Sequence, residues 1–344
     1  MAKRREGEWR ERAAAELLVR HLHRLALSGP VLVMEDSRPE VTEALVARGL
    51  EVSAWNRRAW GGLPAAPWPP PGPFGSAALR LPRSRDETRM ALHAAASVLG
   101  RGGSVLVYGA NDEGIRPAEI LLGEVFSGAG TVAVGGRCRL LRGWRGDDPP
   151  GLRGDLESWR EVTVLEYPGL PRTWVSYPGV FSHGELDQGT RLLLDVLPPV
   201  PAGARVLDYG CGSGVVGAVA MARGEGVAVE MLDVDTVALA ATRENVPGAG
   251  VIPGDGLGSL AGRGVFDAIV SNPPFHRGKA EDIGMVTAFI REAPRLLGPL
   301  GLLAFVCQRR LSVEGTLRGS FATVAVLGED EAFRVWEGRE PRRR

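Results

Sequence analysis

The order of apolar runs, turns and helical stretches in the first half of this chain recurs in the second half, and this repetition constrains the fold more than any other feature. The first half contains GPVLVMEDSRPEVTEALVARGLEVSAWN where the second has GARVLDYGCGSGVVGAVAMARGEGVAVEMLD. Later segments also correspond, since SAALRLPRS matches DAIVSNPPF and TVAVGGRCRLLRGW matches TVAVLGEDEAFRVWEG. Repetition of whole strand and helix units in one order indicates a tandem duplication.

The second half shows most clearly what is repeated. Apolar runs that we predict as strands alternate with a helix that begins at Val215 and another over residues 280–297. This alternation favours an α/β fold with a parallel sheet covered on both faces. We therefore expect two tandem doubly wound, Rossmann-like units. The predicted strands of the second unit span residues 204–208, 226–232, 251–252, 266–270 and 301–306, followed by a closing pair over residues 322–327 and 332–336.

A segment rich in glycine, proline and charge, residues 147–155, separates the two units. It has no apolar periodicity, which is typical of an interdomain connection. At 344 residues the chain is long enough for two domains that each bury a core. We therefore predict one domain over residues 1–150 and a second over residues 160–344.

The composition and charge exclude several classes of function. Lys plus Arg and Asp plus Glu both number 41, so the total charge does not favour a polyanion and any nucleic-acid surface must be local. No run approaches the roughly 20 apolar residues that a spanning helix needs. The charged N-terminal segment predicts an amphipathic helix and not an export signal. We expect a cytoplasmic protein with no role in a membrane.

The three cysteines, Cys138, Cys211 and Cys307, lie far apart and lack the spacing of a metal site. Their odd number argues against a disulfide framework. We predict that each is a small buried hydrophobic residue, and that the protein holds no metal.

A glycine-rich turn follows the first strand of the second unit. Gly210, Gly212 and Gly214 lack Cβ atoms, so a ligand can approach the backbone closely before the next helix begins. This pattern alone fits NAD, FAD or S-adenosylmethionine. Asp208 precedes the turn and favours the last of these, because a carboxylate attracts the cationic amino and sulfonium groups of S-adenosylmethionine and repels a pyrophosphate.

Further acids follow the next two strands. Asp233, at the end of the second strand, is placed to accept hydrogen bonds from both ribose hydroxyls of the cofactor. Asp255, after the third strand, either contacts the adenine amino group or only forms a turn, and the sequence favours neither. Asp235 is better explained as the N-cap of the following helix.

The first unit lacks these features. It has MEDSRPE in place of DYGCGSG, and LPRS in place of NPPF. Its own glycine-rich segment, VLVYGANDEGI, matches the late strand LLAFVCQRRLS and not the first turn, so we do not expect residues 109–114 to bind a nucleotide. The first unit is therefore a degenerate copy of the second.

The segment SNPPF ends the fourth strand of the second unit, at the edge where open α/β sheets bind ligands. Pro273 and Pro274 have no N–H, so the backbone offers acceptors there. Asn272 adds a side-chain acceptor, and Phe275 adds a ring for stacking. This set suits a planar substrate whose NH2 group donates to the Asn272 side-chain oxygen and the Pro273 carbonyl, with its lone pair directed at a sulfonium methyl. His276 either contacts the substrate or caps the next helix.

These segments resemble the ribosomal RNA small subunit methyltransferase C family, which are class I S-adenosylmethionine-dependent guanine-N2 methyltransferases. The resemblance covers nearly the whole chain. It implies tandem methyltransferase units, of which the first has lost cofactor binding and aids RNA recognition or folding, while the second methylates a guanine in small-subunit (16S) rRNA. It also implies that Phe181 and Thr190 line the cofactor pocket. The chain departs from the family at Arg309 and Arg310, where less charge is usual. The resemblance is carried by YPGVFSHGELDQGTRLLLDVLP, VLDYGCGSGVVG and SNPPFHRG.

A guanine inside a helix cannot reach such a clamp, so we expect an unpaired or flipped base as the substrate. Local basic groups would then contact the RNA backbone, although a solvated charged surface explains each of them equally well. We expect rRNA or the small ribosomal subunit as the partner, and we favour a monomer. The candidate basic groups are Lys3, Arg4 and Arg5, the cluster of Arg137, Arg139, Arg142 and Arg145, the pair Arg309 and Arg310, and the tail from Arg342 to Arg344.

Two other functions are compatible with these residues. The clamp could methylate another planar amine, such as a large-subunit rRNA guanine N2, an adenine N6 or a protein glutamine amide. A glutamine-modifying enzyme would be expected to carry a separate helical domain. A non-catalytic RNA-binding assembly factor fits the first unit well but the second poorly, because the second keeps both the glycine turn and the clamp.

Overall fold

The computed structural model describes residues 2–170, 173–273, 276–277, 280–281 and 283–342. The chain divides into two compact units, Met1–Arg160 and Glu161–Arg344. Residues 151–160 belong to the first unit because Trp159 is buried there and its ring meets that of His93 edge-on, with 5.1 Å between the ring centroids.

The described part of the first unit folds around a six-stranded sheet. Its strand order is β2-β1-β3-β4-β6-β5, in which β1 to β4 run parallel and β6 runs antiparallel to both β4 and β5. The helices are α1 (Ala2–His21), α2 (Glu40–Val46), α3 (Arg85–Val98) and α4 (Ile115–Val125), the 3-10 helices are Leu22–Arg24, Asn111–Glu113 and Glu157–Trp159, and the strands are β1 (Val31–Met34), β2 (Val52–Trp55), β3 (Phe74–Arg80), β4 (Leu99–Ala110), β5 (Ser127–Gly135) and β6 (Cys138–Trp144).

The glycine-rich segment of the first unit lies at the end of a late strand, as the comparison of the two halves predicts. Residues up to Ala110 belong to β4, and Asn111–Glu113 form a 3-10 helix. β4 pairs with β3 on one side and β6 on the other. The prediction that this segment is not the first turn of the unit is therefore confirmed.

The described part of the second unit contains a seven-stranded sheet in the order β11-β10-β9-β12-β15-β17-β16. Its helices are α5 (Gln188–Val196), α6 (Val215–Arg223), α7 (Thr236–Asn245), α8 (Ile283–Glu292) and α9 (Glu314–Ser320), its 3-10 helices are Leu257–Leu260 and Ala293–Arg295, and its strands are β7 (Glu161–Val164), β8 (Thr173–Ser176), β9 (Arg205–Tyr209), β10 (Ala228–Asp233), β11 (Gly250–Pro253), β12 (Phe266–Ser271), β13 (His276–Arg277), β14 (Ala280–Glu281), β15 (Leu297–Gln308), β16 (Phe321–Glu329) and β17 (Phe333–Pro341).

The sheet of the second unit is buried on both faces. Along β9, Val206 faces one apolar cluster and Leu207 the other, and along β12 Val270 and Ile269 divide in the same way. Successive side chains of a strand point to opposite faces, so apolar residues at every position require cover on both sides. The two tandem α/β units, with helices packed against each sheet, confirm the predicted fold class.

Two details of the predicted fold are wrong. The sheets are mixed and not parallel throughout, because a short turn joins β16 to β17 and such a turn allows only antiparallel pairing. The helix expected over residues 280–297 covers only Ile283–Glu292, followed by the 3-10 helix Ala293–Arg295. Leu297 instead pairs with Phe266 at the start of β15.

The strand orders of the two units correspond, except that the described first unit has no counterpart of β11. In the first unit β2 is the outermost strand on that side, and residues 56–73, all described, form neither a helix nor a strand. The helices that the structure describes include none that is long and apolar enough to span a bilayer.

Candidate active site

The glycine turn joins β9 to α6 at the carboxyl edge of the second sheet. Gly210, Gly212 and Gly214 have φ values of 69°, 54° and 95°, a region that residues with a Cβ rarely adopt. The Gly210 and Cys211 amides donate to the Leu232 carbonyl of β10 at 2.8 and 3.1 Å. The turn is therefore held across the ends of two neighbouring strands, and its conformation requires glycine.

Asp208 lies beneath this turn and is only 1% exposed. Its Oδ2 accepts a hydrogen bond from the Gly217 amide of α6 at 2.8 Å. Its Oδ1 is buried and has no hydrogen-bond partner among the described residues. Burial, with the nearby charge of Asp233, raises the pKa of Asp208 to about 7. A buried carboxylate with one unused oxygen is suited to a cationic group brought in by a ligand.

Asp233 ends β10 and is half-buried. Its Oδ2 accepts from the Gly212 amide at 2.8 Å, and its Oδ1 accepts from the Asp235 amide at 2.9 Å. These two bonds hold the Asp233 carboxylate beside the glycine turn, and its contact with the ribose hydroxyls stays a prediction. Asp235 itself accepts from the Val237 and Ala238 amides at the start of α7, which confirms its predicted role as an N-cap.

Asp255 lies in the exposed loop after β11. Burial, together with the charges of Asp255, Glu292 and Asp233, raises the pKa of Tyr209 to about 12. The Tyr209 ring stacks on Phe289 with 4.6 Å between the ring centroids. Asp255 thus lies close enough to the end of β9 to act on Tyr209 electrostatically, while its contact with adenine stays a prediction.

Asn272 follows β12, and partners from another element fix the orientation of its amide. Its Nδ2 donates to Thr190 Oγ1 at 2.8 Å and to Asp187 Oδ2 at 3.2 Å. A carboxylate can only accept, so the NH2 group must face Asp187. Among the described residues no hydrogen bond reaches Asn272 Oδ1, which leaves that oxygen as an acceptor for a substrate amine.

The remainder of the predicted clamp is only partly described. Pro273 is buried directly after Asn272. Pro274 and Phe275 lie outside the described residues. The backbone of His276 belongs to β13 and pairs with Glu281 of β14, so it does not begin a helix. The structure thus brings Asn272 and Pro273 to the same sheet edge as Asp208 and the glycine turn.

Sequence reasoning missed Asp187, which organises the clamp. Asp187 caps α5 by accepting from the Thr190 amide at 3.0 Å, and the same Oδ2 accepts from Asn272. An acid directly before the periodic apolar run of α5 is a recognisable N-cap signal. The hydrogen bond from Asn272 to Asp187 joins residues more than eighty positions apart in the sequence, so no local pattern predicts it. Thr190 is buried in this contact, whereas Phe181 is 61% exposed.

A second missed cluster holds the glycine turn in place. Asn245, the last residue of α7, donates to the carbonyls of Val175 and Ser213 at 2.9 and 3.0 Å. Its Oδ1 accepts from the Val175 amide at 2.7 Å, and Trp174 Nε1 donates to Ser213 Oγ at 2.9 Å. The turn is therefore tied to both α7 and β8, by residues whose sequence context gives no sign of this role.

The matching edge of the first unit is filled by its own side chains. Asp36, after β1, is buried and accepts from the Tyr108 hydroxyl. Burial raises the pKa of Asp36 above its ordinary value. Nη2 of Arg80, at the end of β3, donates to both carboxylate oxygens of Glu113 at 2.7 Å. An arginine–glutamate ion pair and an aspartate–tyrosine hydrogen bond thus lie where the second unit has its glycine turn and clamp.

The candidate RNA-contacting arginines divide into distinct groups. Arg145 is 7% exposed and donates to the carbonyls of Ala96, Gly146 and Asp147, so its assignment to an RNA surface is wrong. Arg309 lies 3.8 Å from Glu329 and donates to the Asp330 carbonyl. The guanidinium of Arg142 covers the Trp144 ring at 3.7 Å. The side chains of Lys3, Arg4 and Arg5, and the residues Arg343 and Arg344, lie outside the described part.

The three cysteines are free and buried, as the sequence predicts. Burial raises the pKa of each thiol, to about 12 for Cys307. A search of the described residues for groups of His, Cys, Asp and Glu able to hold a metal ion finds none.

A doubly wound sheet of this strand order, with a glycine turn after its first strand, defines a class I methyltransferase unit. Residues 172–337 match the family model of the methyltransferase small domain, and residues 15–159 match that of the methyltransferase small domain N-terminal region. A solved structure, a T. thermophilus 16S rRNA N2 methyltransferase in complex with AdoMet and guanosine, has a TM-score of 0.81 over 95% of this chain and 92% of that chain, at 24% identity. This likeness establishes the two-unit fold.

Two curated relatives show to which family the chain belongs. A ribosomal RNA small subunit methyltransferase C from Chromohalobacter salexigens is 37% identical over 278 residues, or 79% of this chain and 80% of the relative. Another of the same name, from Hahella chejuensis, is 30% identical over 327 residues, or 90% and 94% of the two chains. The chain belongs to the ribosomal RNA small subunit methyltransferase C family, as the sequence resemblance indicates.

Proposed function

We propose that the protein transfers a methyl group from S-adenosylmethionine to the exocyclic N2 amine of a guanine in small-subunit rRNA. The observation that carries this proposal is the fixed amide of Asn272. Its NH2 group is held by Thr190 and Asp187, so its oxygen is available to an amine at the carboxyl edge of the sheet, next to the glycine turn. Family membership supports the same reaction.

The second unit fits S-adenosylmethionine well. Asp208 offers a buried carboxylate oxygen without a partner to a cation, and Asp233 ends the neighbouring strand within reach of the turn. The open space around a Cβ built on Gly212 leaves room for a ligand against the backbone. In this assignment Asp208 and the turn of Gly210, Gly212 and Gly214 hold the methionine part, Asp233 the ribose and Asp255 the adenine. The cofactor supplies an electrophilic methyl group on a sulfonium.

The chain's own residues would position and activate the amine. The lone pair of guanine N2 is delocalised into the ring, so the free amine is a poor nucleophile. Hydrogen bonds from its two N–H groups to Asn272 Oδ1 and the Pro273 carbonyl would favour a pyramidal nitrogen with a directed lone pair. With the lone pair held in this direction, the amine would accept the methyl group that the cofactor supplies, and the sulfur would keep the electron pair of the bond it gives up. The N–H proton of the methylated amine is acidic and would leave to water. Phe275 would stack on the base.

Such positioning is a large part of catalysis when no strong base is required. The target base must leave its helix or be unpaired. We assign the first unit to RNA recognition or structural support, because its own sheet edge is filled by Asp36, Tyr108 and Arg80. We also propose that the enzyme acts in the cytoplasm, as a monomer.

The test is transfer of labelled methyl from S-adenosylmethionine to small-subunit particles, naked small-subunit rRNA, large-subunit particles and a release factor, followed by nucleoside or peptide analysis. We expect N2-methylguanosine from small-subunit rRNA. Label found only on protein, on adenine or on large-subunit rRNA would overturn the proposal.

Asn272→Ala should lower transfer by roughly 100-fold or more, by analogy with the loss of one preorganised hydrogen-bond partner of a transition state. The dissociation constant for S-adenosylmethionine serves as the control and should stay within about twofold. If the variant keeps full activity, the assignment of Asn272 is wrong.

A further inference from the structure

A polar pocket lies in the first unit beside its filled sheet edge, because the 3-10 helix Asn111–Glu113 contributes to both. It has a volume of about 330 Å³ and is lined by Trp9, Asn111, Asp112 and Arg137. These residues come from α1, from the 3-10 helix after β4 and from the turn between β5 and β6. The volume lies within the range of roughly 300–1,000 Å³ that is usual for small-ligand pockets.

Arg137 has a backbone conformation that arginine does not favour. Gly136 and Arg137 form the hairpin turn with φ values of 55° and 59°. Two consecutive residues at positive φ are typical of a type I′ turn, in which Asn-Gly or Gly-Gly is preferred. The Arg137 carbonyl accepts from the Asn111 amide at 2.8 Å, which fixes the turn against the pocket. Arginine is therefore not explained by the backbone conformation of this turn, for which glycine or asparagine is preferred.

The guanidinium of Arg137 is exposed and makes no hydrogen bond or ion pair among the described residues. Three other arginines contact residues that line the pocket. Arg139 and Arg116 donate to Asn111 Oδ1 at 3.1 and 3.4 Å, which turns the Asn111 NH2 group away from them. Arg10 forms an ion pair with Asp112 at 2.6 Å. Arg137, Arg139 and Arg116 have no acidic partner among the described residues, and this leaves a local positive charge at the pocket.

The aromatic wall of the pocket is Trp9, which is 43% exposed. An exposed indole beside unpaired arginine charge is the pairing that single-stranded RNA uses, since any base can stack on the ring while a phosphate meets the guanidinium. The equivalent hairpin of the second unit has Glu329 and Asp330 in its turn region, and Asp330 there accepts from backbone amides. The basic pocket is therefore not a requirement of the fold.

We infer that this pocket binds one unpaired nucleotide of an RNA, with the base against Trp9, a base edge at the Asn111 NH2 group and a phosphate at Arg137. The inference rests on the proposed function, because it assumes an RNA substrate. It gives the first unit a definite task, which is to hold a single-stranded part of the substrate at a site separate from the methylated base.

The test measures binding of the full-length protein to a fluorescent single-stranded RNA oligonucleotide of mixed sequence and to deproteinised small-subunit rRNA. Trp9→Ala should weaken binding by roughly 5- to 100-fold, the usual effect of removing one stacking partner. Arg137→Gly should reduce the slope of log K against log salt by about 0.7, the value for one phosphate contact on a single strand. Glycine adopts positive φ readily, so this variant removes the charge without straining the turn.

A matched control lies at the opposite end of the same sheet. Arg101→Ala removes an exposed arginine whose one described ion pair is with the exposed Asp147. It should not change RNA binding by more than about twofold. In methyl transfer, the pocket variants should raise KM for rRNA while kcat and the affinity for S-adenosylmethionine stay at the wild-type value.

The outcomes separate this inference from the proposed function. If the wild-type protein methylates small-subunit rRNA but the pocket variants bind RNA as it does, the pocket inference fails alone. If the variants lose affinity only for assembled particles and not for naked RNA, the pocket binds a protein and the inference is overturned. If the wild-type protein transfers no methyl to rRNA, the proposed function fails whatever the binding data show.

Discussion

Asp208→Asn should change how the stability of the second unit depends on pH. The carboxyl of Asp208 is buried, and its pKa is raised to about 7, mainly by desolvation. Above that pH the ligand-free fold must keep a buried charge whose only described hydrogen bond comes from the Gly217 amide. Asparagine has nearly the same shape, keeps an acceptor for that amide and carries no charge at any pH.

The sign and size of the effect follow from linkage. Between its ordinary pKa of 3.8 and the raised value of about 7, the folded protein binds a proton that the unfolded chain has lost, so stability falls as pH rises through that window. Between pH 5 and pH 8 this loss amounts to roughly 2–3 kcal/mol at 1.36 kcal/mol per pH unit. The asparagine variant has no carboxyl at this position and does not show this loss. Its unfolding free energy relative to wild type should therefore rise by roughly 2–3 kcal/mol over that range.

The measurement is hydrogen exchange of peptides from β9 and β12 at increasing urea, which reports the opening free energy of the second unit separately from the first. Asp267→Asn, an exposed substitution on β12, is the control and should follow the wild-type profile. Parallel profiles for Asp208→Asn and wild type from pH 5 to pH 8 would refute the reasoning.

Cofactor binding gives a second test of the same carboxyl. If the ionised carboxylate pairs with the cofactor's cation, the affinity of the wild-type protein for S-adenosylmethionine should rise about tenfold per pH unit from pH 5 to pH 7. The affinity of the variant should be lower and independent of pH.

Four further substitutions test other contacts. Thr190→Val removes the hydroxyl oxygen that accepts from Asn272 Nδ2 at 2.8 Å. This variant should lower kcat roughly 3- to 10-fold, while its cofactor affinity in equilibrium titration stays unchanged. An effect on cofactor affinity alone would contradict a positioning role for Thr190. Gly214→Ala, at φ 95° with a Cβ only 3.1 Å from a neighbouring valine methyl, should destabilise the second unit by about 1–3 kcal/mol. Gly212→Ala also strains a positive φ of 54° but has open space around its Cβ, so it should destabilise the second unit less than Gly214→Ala and should also weaken cofactor binding. Equal effects of the two variants in denaturation and titration would disprove this contrast. Tyr108→Phe removes one of the two described donors to the buried Asp36 carboxyl and should destabilise the first unit by about 1–3 kcal/mol. An unchanged midpoint of denaturation of the first unit would rule this out.

Much of the fold could be predicted because its signals are local and occur twice. The strands around the glycine turn are short apolar runs that end in acids, and the repeat fixes which strand is which. The predicted end of the helix over residues 280–297 failed for a tertiary reason. Leu296 and Leu297 continue an apolar pattern, but Leu297 pairs with Phe266 of β12 and so becomes part of a strand.

The candidate site, like the fold, could be predicted where its signals are local. Asp208, Gly210 and Asp233 could be placed from sequence because each ends or follows a strand whose neighbours in the sheet are fixed by the fold. The hydrogen bonds from Asn272 to Asp187 and Thr190 could not, since they join segments far apart in the chain. Side-chain networks of this kind depend on packing between elements and have no periodicity to detect. The same holds for Arg145, which looks like its exposed neighbours in sequence and is buried by a fold contact with Ala96.

The missing counterpart of β11 limits what the first unit can bind. In the second unit, β11 pairs with β10 and leads to Asp255, so it supplies the adenine side of the proposed cofactor site. Residues 56–73 of the first unit contain neither a strand nor a helix, and an isolated parallel bridge between Asn56 and Ala65 lies at this position. Glycines after β1 would therefore not be enough to give the first unit a cofactor site, because the strand that leads to the adenine side would still be missing.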